Sequence, residues 1–310
     1  MSEALLNPRS ESGFTLYLAL VTGRITPDTL WHSPTYRAKF LLRSLVFPRA
    51  SMRHLHQLAV LPEMRHALNI QATLPGKIHR PYLYLGLSSC QRAQALGQHY
   101  AFLQQLSRHA LRQAMLSPQQ TELVSFSGKD DTHFKVTLAC NGRCEREGEV
   151  NMSLSCNDTL LAIVTFSVIQ RDGQRVLLIG GMQGAHSETP HETIRLATRS
   201  CYGLFPKRVL LEMVSLLARA TGIGAIQAVS NCGHTYYSLR YRYKKRAVFL
   251  ASYDEFWQSL NAEKVSRQLW QLPLEFAQKT MEEIPSKKRA EYRRRYELLE
   301  DLRQQFTRFH

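Results

Sequence analysis

Apolar residues recur at helical spacing through the first third of the chain, and then the pattern changes. Thr15–Thr22 and Ala38–Phe47 carry apolar side chains three and four apart, punctuated by Pro27, Pro34, Pro48, Pro62 and Pro75. Pro81–Gly86 reads as a short strand. Ser88–Met115 reads as one long amphipathic helix, with Leu96, Tyr100, Leu103, Leu106 and Ala110 on a shared face and an end near Pro118.

From about residue 119 to 184 the period falls to two and the turn residues become those of hairpins. Leu123–Phe126, His133–Ala139, Glu149–Ser155, Leu160–Gln170 and Arg175–Gly180 form a predicted antiparallel meander. Asn141-Gly142 and Asp172-Gly173 mark turns, the first expected as a type I′ hairpin turn because both central positions need positive φ. Helices follow at Glu192–Cys201 and Lys207–Thr221, the latter with Pro206 at its first turn and Gly222 past its end. The apolar strand Ala225–Val229 then completes a strand–helix–strand passage, the mark of a parallel crossover. Asp254–Leu260 is a short helix, and Ser286 onward is one charged helix, expected to dock through Tyr292, Tyr296 and Leu299. The division this implies is a mainly helical region at 1–116 and an α/β domain at 117–310.

Length changes little in this picture, since 310 residues suit one large or two small domains. Charge changes more. The chain carries +15, and the excess lies at its two ends around a near-neutral middle. Partners bearing phosphate are expected: a phosphorylated cofactor, RNA or an anionic inner-membrane surface. Six cysteines, no apolar run long enough to span a bilayer and no signal-peptide pattern point to a reducing cytoplasmic setting. Cys140 and Cys144 lack a second pair at matching spacing, so no metal site is expected.

Candidate chemistry gathers in two places. Gly203-Leu-Phe-Pro-Lys207-Arg208 opens a helix, where backbone N–H groups, the helix dipole and two cations favour an anion. Asn231, His234, Tyr236 and Tyr237 follow the strand 225–229, at the end of an α/β strand where ligands usually sit. Arg240–Arg246 alternates basic and aromatic residues, and Lys287–Arg295 is a second basic run.

The runs LLIGGMQG (177–184), GLFPKRVLLEMVSLLARATGI (203–223), AVSNCGHTYYSLRYRYKK (228–245) and IPSKKRAEYRRRYELLEDL (284–302) closely resemble the VirK/YbjX family of enterobacteria. That resemblance implies a virulence setting: envelope change, antimicrobial peptide resistance, or production and surface display of the autotransporter VirG (IcsA). It implies no reaction. The order of elements is also similar to GNAT-type acyltransferases, which implies an α+β fold with a GNAT-like mixed, mainly antiparallel sheet and flanking helices. Carried over, Gly203, Lys207 and Arg208 would hold the phosphate of acyl-CoA or of an acyl-carrier protein, and Asn231 would contact the donor. Tyr237 would be the general acid, with Tyr236 as substitute and His234, Glu188 or Glu192 as base. The competing expectation is a non-catalytic protein that binds RNA or a membrane surface and acts after transcription or in export.

Overall fold

The computed structural model describes residues 12–238 and 253–309. Proline at the first helical position starts four of its helices, where the missing N–H costs nothing: α2 (Pro34–Val46), α3 (Pro48–Val60), α4 (Pro62–Leu68) and α8 (Pro206–Ala220). Serine caps start others. Ser12 caps α1 (Gly13–Thr22), and Ser88 with Gln91 forms a capping box on α5 (Ser89–Gln105).

Eight strands form one sheet in the order β1-β2-β3-β4-β5-β6-β8-β7. They are β1 (Thr121–Ser127), β2 (His133–Ala139), β3 (Val150–Cys156), β4 (Thr159–Arg171), β5 (Gln174–Gly184), β6 (Ala225–Val229), β7 (Glu263–Lys264) and β8 (Leu269–Leu272). All neighbouring pairs are antiparallel except β5 and β6, which run parallel from Val176↔Ala225 to Ile179↔Ala228. This is the mixed, mainly antiparallel α+β sheet that the GNAT resemblance implies.

The central strands are buried along nearly their whole length, so both faces of the sheet need cover. On one side α5 lies on β4, with α1, α3 and α4 packed behind it. On the other, α8 crosses β3, β4 and β5 as the link from β5 to β6. The terminal helix α10 (Arg289–Arg308) packs on β1 and α8. One continuous hydrophobic core runs through the helical layer and the sheet.

Several expectations need correction. Ser88–Met115 is two helices: α5 stops at Gln105, Leu106–Arg108 are extended, and α6 (His109–Leu116) begins again. The break lets α5 lie on β4 while α6 lies on β2. Pro81–Gly86 is not a strand; it holds one isolated bridge, Tyr82↔Tyr84, around Leu83 at φ 64°. Asn141-Gly142 is not a type I′ turn, because Gly142 has φ 73° but Asn141 stays outside the positive region. Instead the Asn141 side chain accepts from Arg143 N, and the chain runs on for residues 140–149 before β3 begins. The α10 seam is Leu298, Leu302 and Phe306, while Tyr292, Tyr296 and Leu299 are only half-buried. Arg240–Arg246 lies outside the described residues.

Candidate functional site

Residues 140–149 cross flat over β4 and β5, and glycines make this possible. Gly180 is the extra residue of a bulge in β5, opposite the register shift at Thr165/Phe166. A methyl group on Gly180 would overlap the Glu147 carbonyl, and one on Gly181 would overlap the Glu147 carboxylate. Gly148 in turn lies against the Phe166 backbone. Backbone bonds tie the segment down: Leu83 N donates to Arg146 O (2.8 Å), and Glu149 N donates to Phe166 O (3.1 Å).

This strap carries Glu147 into a fully buried position beside the end of β6. His234 Nε2 lies 3.3 Å from Glu147 Oε1, with the two side chains 2 % and 0 % exposed. Gln183 Nε2 donates to both carboxylate oxygens (3.1 and 3.3 Å) and to Cys144 Sγ (3.3 Å). Tyr236 N donates to His234 Nδ1 (3.3 Å), so Nδ1 is an acceptor and the ring proton sits on Nε2, facing Glu147. Tyr236 stands edge-on to the imidazole at 4.9 Å, and Tyr253 lies on another side at 5.6 Å. Burial, then the Glu147 charge, pushes the Cys144 thiol up to about 11, so it is not a thiolate at neutral pH.

The cluster sits where the parallel pair ends. Past Ile179 and Ala228, β5 continues without β6 beside it. Met182 N donates to the Tyr253 hydroxyl (2.9 Å), which donates to Met182 O (3.1 Å), so one side chain takes the place of a strand. Burial, with Glu147 next, raises the Tyr253 pKa.

Of the residues expected from sequence, His234 and Tyr236 belong to this cluster. Tyr237 is 46 % exposed on the 3₁₀ turn Thr235–Tyr237. Asn231 joins β6 to α9 (Tyr253–Ser259): its Oδ1 accepts from Tyr253 N (2.7 Å), and its N donates to Asp254 Oδ1 (3.2 Å). Glu188 and Glu192 lie on the surface, beside His186 and Arg195 respectively. Sequence reading missed Glu147, Gln183 and Tyr253. The available signal was the pairing of GG at 180–181 with the dense EREGE run at 145–149.

The helix start at 203–208 is also specific in what it offers. Gly203 has φ 78°, and a methyl there would collide with Arg295 and Glu291 of α10. Arg295 donates to Tyr202 O at 2.9 and 2.7 Å, so this glycine admits the terminal helix. Arg208 pairs with Glu212 (3.0 and 2.7 Å) and lies 4.1 Å over Phe276. Lys207 lies beside Gly184 at the end of β5, 5.8 Å from the Phe256 ring, and burial lowers its pKa. Pro206 has no N–H, while Arg208 N and Val209 N both donate to Phe205 O. The helix start therefore presents Lys207 N–H and the Lys207 ammonium.

A second polar cluster starts two residues further along the strap. Lys77 Nζ donates to Glu149 Oε1 (2.5 Å) and Gln71 Oε1 (2.9 Å), and Tyr100 OH donates to Glu149 Oε2 (2.6 Å), all fully buried. Burial opposes the Glu149 charge, but Lys77, His99 and Tyr100 outweigh it and hold the carboxyl below its ordinary range.

This sheet, with its single parallel pair and buried strap, belongs to a family whose model covers residues 29–308 and is described as protein of unknown function (DUF535). The chain is a member of that family. It is 38 % identical to the uncharacterized protein YbjX of Escherichia coli (strain K12), over 99 % of this chain and 93 % of YbjX. An uncharacterized protein of Haemophilus influenzae is 27 % identical over 69 % of this chain and 70 % of its own length. A Mannheimia haemolytica protein named membrane protein LapB is 25 % identical over 54 % of this chain and 71 % of its own. Among the described residues no helix is long and apolar enough to cross a membrane.

Proposed function

We propose that this chain is an acyltransferase working on an envelope component, and that its donor is an acyl group on the phosphopantetheine arm of a carrier protein. The observation that carries the reading is the buried Glu147–His234 pair set beyond the paired ends of β5 and β6. The relative named as a membrane protein supports the envelope setting, as does the virulence setting that the family resemblance implies.

Glu147 accepts the proton of the attacking amine or hydroxyl as its nitrogen or oxygen bonds to the thioester carbonyl carbon. The carbon–sulfur bond breaks, and Tyr237 supplies a proton to the departing thiolate. His234 has its Nδ1 held by Tyr236 N–H and its Nε2 3.3 Å from Glu147 Oε1, so in this reading it positions the carboxylate. Lys207 holds the single phosphate of the arm. A free coenzyme A would add a pyrophosphate for which the helix start has too few donors.

The donor is tested by fluorescence anisotropy with labelled acyl-carrier protein and labelled acyl-CoA. Carrier binding that Lys207→Ala weakens on the order of tenfold is expected, with little binding of acyl-CoA. Equal binding of both donors, indifferent to Lys207, would remove the carrier from the account.

A further inference from the structure

The glycine that admits α10 also brings cations from two distant parts of the chain to one face. Arg295 holds Tyr202 O and lies with Glu291 against Gly203, so the first turns of α10 sit beside the 202–203 turn. Lys288, Glu291 and Arg294 follow one another at steps of three along that part of α10. Glu291 is taken by Arg295 at 3.7 Å. Lys288 and Arg294 are exposed, and neither has an ion pair among the described residues.

The helix α7 (His191–Ser200) ends at the same turn. Gly203 N donates to Thr198 O (2.8 Å) and Tyr202 N to Arg199 O (3.1 Å). Arg199 is exposed there, also without an ion pair among the described residues, and Leu196, one turn earlier, is 50 % exposed. Phe205, two residues past Gly203, is 66 % exposed. One exposed leucine needs no explanation. Two large apolar side chains among three unpaired cations are different, because the fold gains nothing from either feature. An apolar centre with a charged rim is the anatomy of a protein interface, and a rim of one sign selects a partner of the other. Lys207 favours the carrier protein as that partner. It follows Phe205 by two residues and lies beside Gly184 at the end of β5, so a protein seated on this face stands next to the holder of its arm's phosphate.

We propose that Leu196 and Phe205, with Arg199, Lys288 and Arg294 around them, dock the acid-rich face of the carrier protein that delivers the donor. The inference rests on the carrier as donor and adds the surface that recognises the protein itself, apart from its arm. Docking buries Leu196 and Phe205, which anchor the complex. The cations meet carboxylates at the rim, where they set the rate of encounter and its salt dependence.

The test is fluorescence anisotropy of the full chain with labelled apo acyl-carrier protein, which lacks the phosphopantetheine arm and so reports the surface alone. Binding is expected, and Lys288→Glu/Arg294→Glu and Phe205→Ser should each weaken it on the order of tenfold. Raising salt from about 0.05 to about 0.3 M should weaken wild-type binding as well, a readout that needs no variant. Lys288→Glu puts an acid before the first turn of α10, and Phe205→Ser puts a capping residue before α8, so neither opposes its helix. Lys39→Glu/Arg49→Glu makes the same change in net charge on α2 and α3 and should bind as the wild type does. Equal weakening by that control overturns the proposal. So does apo-carrier binding that neither variant changes, or no binding at all, or RNA held by this face in place of the carrier. Apo-carrier binding without acyl transfer would sink the reaction and leave the docking face standing. Transfer from a carrier whose apo form ignores this face would do the reverse.

Discussion

His234 Nε2 lies 3.3 Å from Glu147 Oε1 with both side chains buried, although 87 positions separate them in the chain. Their meeting depends on the strap at 140–149, and the strap depends on small residues beneath it. Removing either partner takes a close polar neighbour from a buried polar group. Glu147→Ala should cost about 3 kcal/mol and His234→Ala about 2 kcal/mol by urea unfolding. The double variant should cost less than the sum, a coupling that independent surface residues would not show.

The strap itself can be tested without touching any polar group. Gly180→Ala directs a methyl into the Glu147 backbone, and neither rotamer choice nor a flexible neighbour relieves it. A loss of about 3 kcal/mol or more is expected. Gly173→Ala is the control for a glycine with open space, because nothing lies within 4 Å there and only its φ of 80° resists the change. It should cost about 1 kcal/mol.

Lys77 and Glu149 make the second buried pair, and its asymmetry is measurable. Lys77→Met strands a carboxylate among Tyr100, Gln71 and His99, and should destabilise by about 3–5 kcal/mol. Adding Glu149→Leu removes the stranded charge, so the double variant should recover part of that loss.

Acid should unfold this chain earlier than its carboxylates alone require. Burial holds His54 and His99 at about 4, and His79 is depressed to the same value, against 6.5 when unfolded. Between those values the unfolded chain binds up to three more protons at these residues, so stability is full above pH 6.5 and falls as pH drops toward 4. Glu149, depressed below 4.5, extends the loss below that value. His99→Gln should flatten the slope between pH 6.5 and 4 in a denaturation series.

Much of the fold was legible because it is local. β2 and β6 run over the residues their patterns predict, His133–Ala139 and Ala225–Val229, since alternation and a short apolar run are properties of neighbouring positions. The bulge at Gly180 and the strap it admits were not legible, because Glu147 and Gly180 meet only after β3 and β4 are paired. The two-residue β7 and four-residue β8 are too short to show a period. At the site, the stretch after β6 drew notice through His234 and Tyr236, while their carboxylate partner stood in a loop read as a simple turn. The α8 start was placed correctly. What its residues do was decided by α10 reaching Gly203 and by Glu212 taking Arg208.

The central claim is that Glu147 takes the acceptor's proton in acyl transfer. Its most direct measurement is acyl transfer from radiolabelled acyl-carrier protein to envelope fractions, comparing wild type with Glu147→Gln at matched folding. The account predicts label transfer by the wild type and a fall of at least about a hundredfold in the variant, with carrier binding retained. Transfer by Glu147→Gln at the wild-type rate, or no transfer by a wild type that binds the carrier, would contradict it.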